Sequence, residues 1–411
     1  MTRWRRPAGP SLVVVLAVVV ASLAGARVAR AQSGHEVNVI PVVGGDSDVG
    51  LGGGVVGDLA SLAPGRPPFH WRLELQAFIT FKPQDGKIVS PFQDDSLELI
   101  VPHFGPSGRL HLDTRISYTD EATLKYTGIG NASPALPSNF PDTADEYGRI
   151  HPTASLEVRV RVASVFYLLG GANITYNRLN VPLGTYLDND QRAGAPEVRA
   201  ILGSFAPHAV GLLTAEAQVD TRDDEIVTEN GQFHTLRFRF SPSYGDELPY
   251  QYERLTLTTR FYRSSIGGWL TFRARVVGDL LWGDPPFYEL ARFDETPAIG
   301  GSKAVRGIPA QRYYGKVKLF ENLQMSAKLW TFTLFSKHFT AGPAVFFDAG
   351  RSWTELAHAH PELDGTGLGI KYGAGGGLRL QEGKTFVVRL DLAWSPDATP
   401  IGAYFAAGEI F

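Results

Sequence analysis

The sequence predicts an all-β fold, a transmembrane antiparallel β-barrel of about sixteen strands with one long extracellular loop folded inward. Three observations carry this expectation. Apolar and polar residues alternate with a period of two along most of the chain, the polar positions are rich in arginine and acid, and the connections between segments are short and long by turns.

The alternation is clear in the segment 71–82, where Trp71, Leu73, Leu75, Ala77, Ile79 and Phe81 alternate with Arg72, Glu74, Gln76, Thr80 and Lys82. One such strand also suits a soluble sandwich. The pattern, however, recurs with charged positions throughout: Arg109, His111, Asp113 and Arg115; Glu157, Arg159 and Arg161; Glu216, Gln218 and Asp220; Arg237 and Arg239; Arg254 and Arg260; Arg273, Arg275 and Asp279; Arg389 and Asp391. A soluble core cannot bury so many ions, because each costs several kcal/mol even when paired. The apolar faces therefore meet lipid and the charged faces a wet lumen.

The chain opens with Arg3, Arg5 and Arg6, an apolar run from Leu12 to Leu23, and Ala29-Arg30-Ala31, a small-x-small cleavage site. Residues 1–31 read as a secretory signal peptide and 32–411 as the barrel. The apolar run falls short of the roughly 20 residues a spanning helix needs. Removing the signal takes away Arg3, Arg5, Arg6, Arg27 and Arg30, so the formal charge falls from −3 to −8. That balance gives no nucleic-acid signal. The chain has no cysteine, which excludes a disulfide scaffold and thiolate metal chemistry.

The short connections fall near residues 64–68, 105–108, 163–164, 223–231, 264–268, 335–339 and 381–384, and the long ones at 131–145, 180–207, 285–314 and 351–366. Short turns belong on the periplasmic side and long loops outside. Counting from Val37 to Phe411 gives sixteen strands with both ends periplasmic. The third long connection contains Gly300 to Tyr314, too polar for a lipid-facing strand and too rich in Gly and Pro for a helix. A loop of this length has a reason to exist if it folds back into the lumen as a plug. Gly300, Gly301 and Gly307 permit the positive φ that tucking requires. Gly367, Gly369, Gly373, Gly375, Gly376 and Gly377 fall in one predicted strand, where they either make room for that loop or kink the wall.

Four stretches together resemble the BamA/TamA and two-partner-secretion transporter superfamily, the bacterial surface antigen barrel family. They are the turn Asp220-Thr221-Arg222-Asp223 ahead of Gly231, Gly300-Gly301 leading to Val305-Arg306-Gly307, Phe347-Asp348-Ala349-Gly350, and the apolar ending at Phe411, similar to an outer-membrane assembly signal. Tyr126 to Asn131 is a weaker fifth match. Ile308 stands where the family usually carries Tyr or Phe, so the aromatic wedge of the loop is weaker or comes from Tyr313 or Tyr314. The resemblance implies that Arg306 folds into the lumen and pairs with Asp348 as a lid-lock. Parity agrees, since Asp348 shares the face of Ala344 and Phe346, and a guanidinium grips a carboxylate with two parallel bonds.

Assembly and secretion members of that family carry periplasmic POTRA modules that receive clients; the few residues between Ala31 and the first strand mark this chain as an expected barrel-only member. Three functions stay open. The first is an outer-membrane assembly or protein/lipid translocation role at a weak seam between first and last strands. The second is a gated diffusion channel for small, anionic solutes, since arginines outnumber acids on the inner positions. The third is an outer-membrane lipid hydrolase, which needs a Ser/His pair. The expected answer is no enzyme and no cofactor: no nucleophile elbow, phosphate loop or zincin motif occurs. His358, His360 and Glu362 read as solvated loop residues rather than metal ligands. Expected partners are outer-membrane lipid, the barrel assembly machinery during insertion and an unidentified periplasmic protein, with no nucleic acid, a monomeric state, and a location in the bacterial outer membrane.

Overall fold

Strands with two-faced alternation must pair edge to edge, and in lipid the sheet must close on itself, because an open edge leaves unpaired N–H and C=O groups in hydrocarbon. The computed structural model of the chain has that form. It describes residues 34–411 apart from 64–67, 106–107, 135–142, 295, 335 and 384–385; residues 1–31, read as the signal peptide, lie outside the described residues.

Sixteen barrel strands follow in chain order: β1 (Gly34–Asp46), β2 (Gly50–Leu62), β3 (Trp71–Gln84), β4 (Phe92–Phe104), β5 (Leu110–Lys125), β6 (Glu146–Ile150 and Thr153–Arg161), β7 (Phe166–Asn180), β8 (His208–Asp220), β9 (Gly231–Ser241), β10 (Tyr252–Ser264), β11 (Leu270–Gly283), β12 (Val317–Ala327 and Trp330–Leu334), β13 (Lys337–Trp353), β14 (Lys371–Glu382), β15 (Phe386–Ser395) and β16 (Ala398–Ala407). β6 is interrupted at His151-Pro152, where proline has no N–H to give the ladder. Each strand pairs antiparallel with the next, and β16 returns to β1.

The register sets the faces as the alternation requires. Glu216 lies opposite Arg237, Arg260 opposite Arg275 and Asn322 opposite Asp348, all on the inner face. Leu213, Leu236, Leu257, Phe272, Leu319, Val345, Leu392 and Trp394 point outward and are exposed, the surface that lipid covers.

The packed core sits inside the barrel. The connection between β7 and β8 holds two short helices, α1 (Tyr186–Ala193) and α2 (Pro196–Leu202). The Thr185 hydroxyl caps α1 by accepting from the Asp188 N–H, and Asp188 pairs with Arg192 one turn on. Leu187, Val198 and Leu202 of these helices join Tyr126, Tyr147, Phe287, Tyr288, Leu290 and Tyr314 in one buried cluster near the extracellular mouth. A second cluster, deeper, gathers Val277, Phe293, Ile299, Val305, Ile308, Tyr313 and Phe320. The long connection 284–316 supplies five of the twelve buried residues of the first cluster and seven of the nine of the second, so the loop is packed into the lumen like a domain core.

Candidate functional site

The loop folds back on itself before it reaches the wall. Gly300 (φ 112°) and Gly301 (φ 93°) take left-handed backbone, and the Gly301 N–H donates to Ile308 O at 2.8 Å. A Cβ on Gly300 would lie 2.0 Å from Pro309 O, so no other residue fits there. The turn buries Val305 and Ile308 and aims Arg306 at the strands β12 to β15. Ile308, where an aromatic was expected, fills the deeper cluster with Tyr313. Tyr314 fills the upper one, its hydroxyl donating to Lys125 O at 2.6 Å.

Arg306 is fully buried. Its Nε donates to Asp348 Oδ2 at 2.7 Å and its Nη2 to Asp348 Oδ1 at 3.0 Å, the two-pronged grip that a lysine cannot make. Its own backbone N–H donates to the same carboxylate at 3.1 Å. The remaining nitrogen, Nη1, reaches Asp391 Oδ2 at 3.0 Å and Gln324 Oε1 at 3.2 Å, and the guanidinium carbon stands 3.4 Å from the centre of the Phe346 ring. Arg379 and Arg389 share Asp391, and Arg379 Nε also holds Glu409 Oε1 at 2.9 Å. Three guanidiniums thus meet three carboxylates in one network, the condition under which buried ions are tolerated. Parity placed Asp391 and Phe346 on the inner wall without linking either to Arg306; Gln324 and Tyr404 carried no sequence signal.

Of the glycines in and before β14, Gly373 makes room for the loop, since a Cβ there would lie 1.8 Å from Arg306 O. Higher up, the loop is anchored through a 3₁₀ turn (Phe287–Ala291). Arg254 Nη1 donates to Glu289 Oε2 at 2.7 Å, and Arg292 pairs with Glu121 on β5. Burial alone would push the Glu289 carboxyl up; the Arg254 and Arg149 guanidiniums overcome this and hold it below the usual glutamate range. The segment Tyr126 to Asn131 closes over the loop: the Gly130 N–H donates to Tyr314 O at 2.8 Å.

The loop also touches both edges of the closing seam. The Gly307 N–H donates to the Tyr404 hydroxyl on β16 at 2.8 Å, and the Ala310 N–H to Asp48 Oδ2 in the β1–β2 turn at 2.9 Å. The seam itself is slight. β1 pairs with β2 from Gly34 to Asp46, but with β16 only at Gly45↔Phe405 and Asp46↔Tyr404, beside a bond from Ser47 N to Ala403 O.

The chain end departs from expectation. The last strand stops at Ala407, and Gly408 (φ 78°) turns the tail into the lumen. Arg275 Nη1 donates to Ile410 O at 2.6 Å, and Gln324 joins Arg379 on Glu409. Glu409 therefore faces Arg379 and Gln324 inside the barrel, and Phe411 ends an inturned tail rather than the last strand. The tail turns in because its one carboxylate side chain finds two inner-wall donors.

The periplasmic turn is self-contained. Arg222 grips Asp220 at 2.7 and 2.9 Å and lies over Phe233, the Thr221 N–H donates to Gln232 O, and the Asp223 carboxylate accepts from the N–H groups of Glu229 and Asn230. Gly231 is required because a Cβ would meet Thr221 O at 2.4 Å. On the extracellular side, His360 lies 3.3 Å from Glu362, while His358 and His360 both approach Glu355. Among the described residues no group of three or more His, Cys, Asp or Glu is placed to hold a metal ion.

A closed sixteen-strand barrel with a charged lumen and an apolar belt defines a bacterial outer-membrane protein. The family model described as the Omp85 superfamily domain matches residues 97–411, and the chain belongs to that superfamily. Among solved structures it is similar to BamA from Haemophilus ducreyi lacking POTRA domains 1-3, at 13% identity and TM-score 0.61, covering 92% of this chain and 70% of that one. It is also similar to CdiB from Escherichia coli (12% identity, TM-score 0.56, 93% of this chain, 64% of that one) and to CdiB from Acinetobacter baumannii (12%, 0.50, 91% and 59%). The chain thus spans less than two thirds of either CdiB chain. At these identities the likeness is one of fold. A comparison with curated proteins returned no match.

Proposed function

We propose that this chain works in outer-membrane assembly or in protein or lipid translocation, through opening of the seam between β1 and β16, with the loop plug held by Arg306 and Asp348. The single observation that carries the reading is the contrast between a two-residue seam and the thirteen-residue ladder of β1 with β2. A sheet separates first where the fewest backbone bonds must be broken, and an edge freed there can pair with an incoming strand. The BamA and CdiB likenesses support an assembly or secretion setting, with outer-membrane lipid and a periplasmic partner as its surroundings. The reading assigns the chain no catalytic chemistry and no cofactor.

The test uses the absence of native cysteine. Cysteines at Ser47 and Ala403, adjacent across the seam, would lock it when oxidised. In a deletion strain, wild-type and reduced protein are expected to restore outer-membrane protein and lipid content, and the oxidised variant to fail. Full restoration by the locked barrel would reject seam opening.

A second reading, a gated diffusion channel, is favoured by the partly exposed inner faces of β3 to β6. There Glu74, Asp94, Glu98, Asp113 and Glu157 stand among Arg72, Lys82, Arg115, Arg159 and Arg161, so this wall carries both signs in about equal number rather than the excess of arginine expected from the sequence. Conductance that rises on Arg306→Ala, with no change in membrane composition, would select it.

A further inference from the structure

Between the plug, strands β8 to β11 and the inturned tail lies a cavity of about 370 Å³. Its acidic side chains are already committed. Glu216 pairs with Arg237, Asp294 with Arg237 and Arg239, and Glu409 with Arg379. Arg275 is committed as well, to Asn322 Oδ1 at 2.9 and 2.7 Å, to Ile410 O and to Lys303 O.

Two lining cations are different. Arg260 stands 5.2 Å from the Phe233 ring centre, and its Nε is buried with no hydrogen-bond partner. Lys303, on the plug, is exposed to the cavity. Neither guanidinium nor ammonium makes an ion pair or hydrogen bond among the described residues. The register aggravates this, because Arg260 sits directly opposite Arg275 on the β10–β11 ladder, and like charges facing each other across strands are destabilising. Phe411, the last residue, also lines the cavity. A surplus of cationic donors, partly out of water and fixed on rigid wall and anchored loop, is the arrangement that recognises an oxyanion.

We propose that this chamber is a binding site for a phosphate-class anion, held between the Arg260 guanidinium on the wall and the Lys303 ammonium on the plug. The planar fork of Arg260 matches two phosphate oxygens, and the lysine supplies a mobile point charge from the plug. The volume suits a phosphate or a lipid headgroup, not a folded chain. Because Lys303 lies three residues before Arg306, bound anion holds the plug to a second wall, β10, beyond the Arg306 network on β12 to β15. The site depends on the lumen and the plug, not on the seam, so the oxidised seam-locked variant binds the same anion; failure of one reading leaves the other standing.

The test is calorimetric titration of full-length protein in an uncharged detergent, with inorganic phosphate in one arm and monomeric dihexanoyl phosphatidylglycerol in the other. Binding by at least one probe is expected. Arg260→Gln and Lys303→Gln each weaken it about tenfold or more, while Lys303→Arg retains it. Heat-modifiable gel migration reports that each variant is a folded barrel, and if Arg260→Gln does not fold, Lys303→Gln decides. Lipid binding about tenfold tighter than phosphate assigns the headgroup as ligand; equal or weaker lipid binding assigns free phosphate. No binding of either probe up to about 10 mM, or unchanged affinity in Lys303→Gln, would overturn the proposal.

Discussion

The inner wall of this barrel has two halves built from the same alternating pattern. Along β10 to β15 the loop lies against the wall, and Arg254, Asp279, Lys318, Asp348, Arg389 and Asp391 are all at or below 2% exposure. Along β3 to β6, away from the contacts of the loop with Glu121 and Arg149, Arg72, Glu74, Asp94, Glu98 and Arg115 are only partly buried. The pairing follows the burial. On the covered side Asp279, Asp348 and Asp391 each meet a specific guanidinium or ammonium group, whereas on the open side Arg115 stands 3.5 Å from Asp94 with 40% of its side chain exposed. Alternation decides which residues face inward; a covering loop decides which of them must have partners.

The largest effect should come from breaking the covered side. Asp348→Ala removes the carboxylate that accepts two bonds from a buried guanidinium and one from the Arg306 backbone N–H, and should cost about 3–5 kcal/mol in urea unfolding of the refolded barrel. Next is Gly373→Ala, which sets a methyl against Arg306 O and should cost about 1–3 kcal/mol as overpacking. Limited proteolysis of the loop would check it, and a loop as resistant as wild type would mean that the contact at Gly373 is not tight. Phe346→Leu keeps an apolar wall but loses the ring under Arg306, an expected loss of about 2 kcal/mol by the same unfolding assay. On the open side Glu74→Gln breaks a partly exposed pair with Arg72 and should stay within about 0.5 kcal/mol. A cost equal to that of Asp348→Ala would erase the distinction between the two halves.

The smallest effect is a pH dependence at the rim of the contrast. Burial, with the neighbouring Asp46 second, pushes the Asp48 carboxyl up to about 7, with Lys82 and Lys125 offsetting part of this. A carboxyl raised in the folded state binds its proton more tightly there than in the unfolded chain. Its contribution to stability is therefore full below about pH 4 and is lost as the pH climbs through 7. Melting temperature should fall between those limits, and Asp48→Asn should flatten that slope; an unchanged slope would remove Asp48 as its source.

The strand count and the two faces were legible because period two and the rhythm of connection lengths are local properties of the chain. The Arg306 and Asp348 positions were legible through a motif, and through the parity that puts Asp348 beside Phe346. Height within the barrel was not legible. Parity says that Asp391 faces inward, but only the stagger of sixteen paired strands brings it level with Arg306, and Tyr404 level with Gly307. The inward turn at Gly408 was hidden for a related reason: Glu409 finds Arg379 and Gln324 only after β12, β14 and β16 are aligned. The helices α1 and α2 stand on a loop whose apolar residues have no period-two signature and acquire their purpose from Phe287 and Tyr288, about ninety residues further along the chain.

The bonds from Gly307 to Tyr404 and from Ala310 to Asp48 give the barrel a fastening from within. The circumference is completed by a few rungs of ladder and, across the same gap, by a segment that belongs to neither edge. If the seam opens as proposed, withdrawal of that segment and parting of the edges form one linked equilibrium: whatever loosens the inner segment lowers the work of separating the wall, and a strand that wedges the wall apart weakens the segment's grip by the same free energy.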